Sequence, residues 1–592
     1  MPMFLRASKR IKDGKAHRYW NIVENRRCQG NRVVQRQVLY LGEINDAQQA
    51  SWCKTIEVLQ ADSSRSRQVA IFPEDRQAPT VACEVVQVKL SELQLQRPRQ
   101  WGACWLALEL WGQLELDAFW RERLGVSRKG TRWLQVFKTL VCYRLIAPGS
   151  EWRLHRQWFT QSAIGDLLGE DFALAQKDKL YRCLDRLLEH KQDFFSYLQQ
   201  RWQTLFGARF DILLYDLTST YFEGGGSECS SLRRYGYSRD KRSDCLQVVI
   251  ALIVTPEGLP LAYEVMPGNT SDKTTLKDFL AKIERQYGKS ERIWVMDRGI
   301  PTEAVLAEMR ASPVPLYYLV GTPRSRLNRL EQAFLTQPWE QAKANVQVKL
   351  LAQEGELYIL AKSTGRLQKE QAMRRRKRKR LWKRLHDLQR QTQSRDQLLL
   401  KLGAAKKAAG TVYSLVTVQV PDKKAYAQHG FSFSLNKAKL RQAQRRAGHY
   451  LLRSNLNQEA PATLWQYYIQ LTEIEQAFKE LKSDLQLRPL HHQKDDRIEA
   501  HIFVAFVAYC LQITLKQRAR SLAPGLTPRA VLEKFAALQM VDVRLPTTDG
   551  RVLELSRYTQ PEKDLQLLLH QLKLSLPKQP PPKIKSADIS HG

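Results

Sequence analysis

The chain has 592 residues, 43% of them hydrophobic, with 94 Lys and Arg against 60 Asp and Glu and a net charge of +34. This length carries three or more domains, the apolar content excludes a disordered chain, and the charge points to a polyanionic partner, nucleic acid before an anionic membrane. No apolar run of membrane-spanning length and no signal peptide is read, and nine scattered cysteines without a CxxC pair exclude a zinc site or disulfide framework and predict a reduced, cytosolic setting.

Residues 1–60 read as a small basic β module, with β-favouring pieces at 3–6, 19–23 and 33–41 separated by polar turns. Its role is either structural or DNA-contacting. Residues 61–205 open on a polar linker and then turn helical, with apolar residues three and four apart at 105–111, 133–141 and 180–188. They are read as a helical, DNA-binding region: an ordinary bundle, or one holding a helix-turn-helix-like reader.

Residues 206–325 carry the chemistry. Ile212, Leu213, Leu214 and Tyr215 predict a buried strand ending in Asp216, followed by a hydroxyl-rich turn of Thr218, Ser219 and Thr220. A carboxylate at the mouth of a buried strand either caps the turn or meets a cation. The pattern recurs where residues 291–296 lead to Asp297, with Gly299 beyond. Two such acids on one sheet repel each other unless a divalent metal neutralises them. Between them lie a hairpin of strands at 246–254 and 260–266 and a helix capped by Asp272. After Asp297 come a helix at 302–310 and a strand at 316–320, giving a mixed α/β sheet.

Residues 326–449 are read as a β-rich insertion domain holding a basic helix: Arg374, Arg375, Arg376, Lys377, Arg378, Lys379 and Arg380 are consecutive. Such a run is either a solvated face or a phosphate contact released from its counterions. Residues 450–520 return to the core. One helix over 467–484 is expected to place Tyr468, Glu475 and Lys482, seven apart, along one edge. Glu475 is the candidate third acid, Lys482 a phosphate anchor and Tyr468 a sugar or phosphate contact; solvent-facing ion pairs are the alternative. Arg488, His491, His492, Arg497 and His501 add cationic groups, and 502–515 predicts a buried helix covering the sheet. Residues 521–592 read as a helical end with a disordered Pro- and Lys-rich tail.

Several of these blocks together resemble one family. Tyr215-Asp-Leu-Thr-Ser-Thr-Tyr221, Met296-Asp-Arg-Gly-Ile300, Leu481-Lys-Ser-Asp-Leu-Gln-Leu-Arg-Pro489 and Arg497-Ile-Glu-Ala-His501 are similar to blocks of bacterial insertion-sequence transposases with a DDE triad on a ribonuclease H-like fold. Tyr468, Leu471, Glu475 and Lys482 resemble that family's YREK signature, with Leu471 where the signature has Arg. The resemblance implies that Asp216, Asp297 and Glu475 are the catalytic, metal-binding triad. It implies two Mg²⁺ ions about 3.5–4 Å apart, with Mn²⁺ able to substitute. It implies a cytoplasmic, nucleoid-associated homodimer that cuts at terminal inverted repeats, through a hairpin on the element's end, and joins 3′-OH ends to target DNA. A base such as Arg488 would stand in for the missing Arg. The alternatives are a structure-selective ribonuclease H-like nuclease and a catalytically dead DNA-binding relative.

Overall fold

The computed structural model describes residues 3–12, 15–27, 33–63, 87–223, 230–240, 242–270, 281, 283–284, 291–297, 301–314, 316–322, 324–343, 345–353, 355–391, 394–422, 430–456 and 459–586. Asp272 and Gly299, singled out above, lie outside them. The chain divides into two compact units: Met1–Ser8, Arg18–Ser290 and Thr472–Gly592 form the first, Lys9–His17 and Glu291–Leu471 the second.

The chain opens on strands β1 (Met3–Lys12), β2 (Lys15–Arg27) and β3 (Val33–Gly42), followed by a helix at Asp46–Ser63. The strands expected at 3–6, 19–23 and 33–41 are present, and residues 46–60, read as part of the β module, are helical. The next region is helical apart from β4 (Gln94–Gln100), a strand within the stretch read as helix. Its helices bring large aromatic rings together: Trp120 meets Phe137, Phe194 and Phe503 with ring centroids 4.8–5.9 Å apart. Such rings bury much apolar area and pack edge to face.

β5 (Ile212–Tyr221) pairs antiparallel with β6 (Gln247–Val254), itself paired with β7 (Pro260–Pro267). The predicted strand end at Asp216 is corrected here. β5 runs on through Thr218, Ser219 and Thr220, which are buried strand residues opposite Ile250, Val249 and Val248. Thr and Tyr fit a pleated sheet well, so a full-length partner strand overrides the local turn tendency.

Helices Lys191–Phe206 and Asp495–Leu522 cover this sheet. Trp202 donates its indole N–H to the carbonyl of Pro260 at 2.8 Å, and Phe195, Tyr263 and Phe506 form a ring cluster. The expected buried helix at 502–515 is the middle of Asp495–Leu522. This 28-residue helix is long and apolar enough by composition to cross a membrane, at mean hydropathy 1.7, which corrects the reading that no such run exists; 94% of its apolar window is buried in protein.

The second unit starts with β8 (Arg292–Met296), helix Glu303–Ala311 and β9 (Leu316–Gly321), the two strands parallel. Thr302 caps the helix by accepting the Val305 N–H at 3.2 Å. β10 (Glu340–Lys343), β11 (Val346–Gln353) and β12 (Glu356–Ser363) come next. Helix Thr364–Arg390 then packs on helix Arg395–Ala409 and on the hairpin of β13 (Val416–Gln419) and β14 (Ser432–Leu435) through Leu381, Leu385, Leu388, Leu398 and Leu402. β15 (His449–Ser454) returns between β12 and β9, so β11 and β12 continue the sheet that holds β8.

Back in the first unit, β16 (Gln539–Pro546) pairs with β4 and with β17 (Arg551–Tyr558), and β17 pairs with β18 (Lys583–Ser586). The tail expected to be disordered is thus ordered to Ser586. Its prolines need no ladder hydrogen bonds, and their carbonyls accept from the protein: Pro577 from the Tyr558 hydroxyl, Pro580 from Arg557.

Candidate active site

Asp216 stands in the middle of β5, half-buried, and its Oδ1 accepts the backbone N–H of Leu217 at 2.7 Å. Asp297 directly succeeds β8 in the second unit and is exposed. Glu475 is exposed on helix Leu471–Lys479 in the first unit.

That helix separates its glutamates by face. Glu473 and Glu480, seven apart, both turn toward helix Asp495–Leu522. Glu480 is buried and accepts from Gln476 at 2.9 Å and from Gln512 and Lys516 at 3.2 Å. Glu473 pairs with Lys516 at 3.6 Å and Arg520 at 3.4 Å. At 100° per residue, Glu475 lies about 200° round from Glu473 and faces away from those partners. Glu473 thus takes part in the ion pairs that the sequence offered as the alternative.

The single helix expected over 467–484 is corrected. Pro461–Ile469 is one helix, Leu471–Lys479 another, and Glu480–Asp484 widens into a π turn. Tyr468, in the second unit, packs its ring against Tyr450 and Trp465. Leu471, where the signature has Arg, is buried and starts the second helix. A π turn adds a residue to the repeat and re-aims the side chains beyond it. Lys482 is only 9% exposed, and its ammonium lies 3.0 Å from Oδ1 of Asp240. Burial lowers its pKa, and the charges of Arg488 and Arg239 lower it further. Arg488, 31% exposed, pairs with the same Asp240 oxygen.

In the second unit the seven consecutive cations lie on helix Thr364–Arg390, where Arg375, Arg376, Lys377, Lys379 and Arg380 are exposed and Arg374 and Arg378 half-buried above the Leu381–Leu385–Leu388 stripe. The histidines counted as cationic are corrected in part. His501 is buried, and burial, then the Arg144 charge, bring its pKa down to about 4, so it is neutral at pH 7. It meets His492 Nε2 and Glu151 Oε1 through Nδ1, each at 3.1 Å, and Arg144 at 3.4 Å. Arg497 binds Asp185 through two hydrogen bonds of 2.7 and 2.8 Å.

Sequence reasoning missed Asp240 and Glu151. Asp240 lay in a stretch quoted only as a lead-in to a strand; Glu151 is 341 positions from His492 and carries no local signal.

Residues 209–511, half of the chain and a span containing all three acids, match the family model of the transposase DDE domain, so the chain belongs to that family. Residues 5–68 match the N-terminal domain of IS1634 family transposases. The chain is thus an insertion-sequence DDE transposase, and its mixed α/β architecture agrees with the ribonuclease H-like fold expected. Among solved structures it is similar to one described as a cryo-EM structure of a piggyBac transposase synaptic complex with hairpin DNA, at 9% identity and TM-score 0.34, over 73% of this chain and 76% of that one. At that similarity the likeness carries no argument. No curated protein matches the chain.

Proposed function

We propose that the chain cuts DNA at the ends of its element and joins the freed 3′-OH ends to target DNA, with Asp216, Asp297 and Glu475 as the catalytic, metal-binding carboxylates. The observation that carries this is the match of residues 209–511, a span containing all three acids, to the transposase DDE domain. Glu475 is exposed on its helix, whereas Glu473 and Glu480 pair with helix Asp495–Leu522. The donor set suits hard divalent cations, since all three side chains offer carboxylate oxygens and no thiolate or imidazole stands among them. When bound, Mg²⁺ or Mn²⁺ would stabilise the charge that builds on the phosphoryl group and its attacking and leaving oxygens.

The chain's own residues bind and orient. Water attacks the scissile phosphorus, the P–O3′ bond breaks, and a 3′-OH and a 5′-phosphate result. That 3′-OH then attacks a target phosphodiester, replacing one P–O bond by another. Arg488 and the run Arg374, Arg375, Arg376, Lys377, Arg378, Lys379 and Arg380 hold the DNA backbone by charge, Tyr468 packs on a sugar or phosphate, and Lys482, paired with Asp240, adds positive charge beside Arg488. The assembly is a homodimer on paired terminal inverted repeats, working in the cytoplasm at the nucleoid. The domain division expected from the sequence is kept within this reading: the helical region at 61–205 binds DNA, the β module at 1–60 is structural or DNA-contacting, 206–325 and 450–520 make the core, 326–449 is the insertion, and 521–592 completes the fold.

The test is cleavage of labelled duplexes carrying the sequences that flank the gene, with Mg²⁺, and then strand transfer from a 3′-OH end. Cutting at a defined end with joining supports the reading. Cutting without joining favours a nuclease, and binding without cutting favours a dead relative.

A further inference from the structure

Asp240 is 8% exposed, yet it pairs with both Lys482 and Arg488. Its Oδ1 takes Lys482 at 3.0 Å and Arg488 as well, while its Oδ2 is buried with no partner among the described residues. A carboxylate offers about four acceptor positions, so this one is far from saturated. Arg239, next in the chain, adds a further positive charge that Lys482 feels. The cluster is therefore net positive around one buried anion.

Its location is set by the backbone. The Arg239 N–H donates to Ser219 Oγ at 3.2 Å, three residues along β5 from Asp216. Lys482 belongs to the π turn that continues the Glu475 helix. The Arg488 segment is tied to the end of β5, where the Leu490 N–H donates to the Tyr221 carbonyl at 3.0 Å. One carboxylate thus joins the strand that carries Asp216, the helix that carries Glu475, and the segment after it. Lys482 is too buried to serve a second anion. Arg488 is not, and a guanidinium has five N–H donors in a fixed fork, which suits a phosphate held by two oxygens.

We propose that Asp240 is a positioning residue of the DNA site: with Lys482 it fixes the guanidinium of Arg488, and Arg488 makes the contact to a backbone phosphate. This rests on the transposase reading above. The partner is a nucleic-acid phosphate, and the effect is independent of base sequence.

The experiment measures affinity for a labelled duplex of arbitrary sequence across a salt series, for full-length wild type, Arg488→Ala, Asp240→Asn and the double variant, with thermal unfolding of each. Each phosphate contact contributes about 0.9 to the slope of log affinity against log salt. Arg488→Ala is expected to lower the slope by about that amount. Asp240→Asn is expected to do much the same to the slope, with a lower unfolding midpoint because buried Lys482 loses its partner, and the double variant to lose no more of the slope than either single. Tighter binding by Asp240→Asn would mean that the carboxylate competes with phosphate, and overturns the proposal. So does a double variant whose losses add. If Asp240→Asn does not fold, Arg488→Lys decides: it should recover the slope but not the affinity of the fork, and a slope the same in wild type and Arg488→Ala overturns the clamp. Wild type that binds no duplex overturns clamp and transposase reading together, whereas wild type that binds and cuts with slopes unmoved overturns the clamp alone.

Discussion

Glu473, Glu475 and Glu480 sit within eight residues of one another and have three different surroundings. If Glu475 is the third metal ligand, Glu475→Gln loses cleavage by roughly a thousandfold or more while end binding persists, because charge at the reacting centre is removed without disturbing the fold. Glu473→Gln leaves cleavage within a few-fold of wild type. A labelled-end assay on both variants, scored beside a gel-shift, separates them, and a cutting Glu475→Gln variant would move the assignment elsewhere. His501 makes a pH prediction. Its folded pKa of about 4 lies below the ordinary histidine value of 6.5, with Arg144, Glu151 and His492 around it. Between those values the unfolded chain takes up a proton that the folded chain does not, so stability falls as pH drops from about 6.5 to about 4, by up to about 3 kcal/mol. Denaturant midpoints measured from pH 7 to pH 4.5 should show that slope, and His501→Asn should flatten it.

The helix Thr364–Arg390 combines two patterns with different jobs. Leu381, Leu385 and Leu388 recur at three- and four-residue spacing and bury against Leu398 and Leu402, giving the helix pair its own small core. The exposed cations Arg375, Arg376, Lys377, Lys379 and Arg380 take no part in that packing. Replacing those five by Gln should leave the unfolding midpoint nearly unchanged and reduce the salt slope of DNA binding by up to about 0.9 per lost contact. Leu385→Ala should do the reverse, costing about 2–5 kcal/mol through the cavity it leaves. If the Gln variant binds DNA with the wild-type slope, the run is a solvated face. This element was legible from its composition, since seven like charges and a leucine repeat are both local. The Glu475 helix was legible only in part: its apolar stripe was visible, but its start at Leu471 and its π turn at Glu480 were not. A period of 3.6 extrapolated across the π turn places residues wrongly, which is why Lys482 is buried and not on the exposed edge expected for it.

For the whole molecule, a carboxylate metal site predicts that Mg²⁺ and Mn²⁺ support cutting, whereas Ca²⁺, with its longer and looser coordination, supports end binding alone. Sedimentation of the end-DNA complex should give the mass of two chains with two end duplexes; one chain on one duplex would remove the dimer from the reading. What the sequence determined by itself was what local chemistry carries: the strand leading to Asp297, the strand–helix–strand order that follows it, the basic run and the family to which the chain belongs. These arise from side-chain size, charge and spacing over a few residues, and they hold wherever the segment is placed. What the tertiary structure decided was which charges are already spent. Glu480 reaches Lys516, Glu151 reaches His501, and Asp240 reaches Lys482 across 242 positions of sequence. The same holds for β4, which is a strand because β16 arrives beside it, and for the tail, which is ordered because β17 offers an edge. Such pairings depend on segments far apart in the chain, and no window of sequence contains both partners.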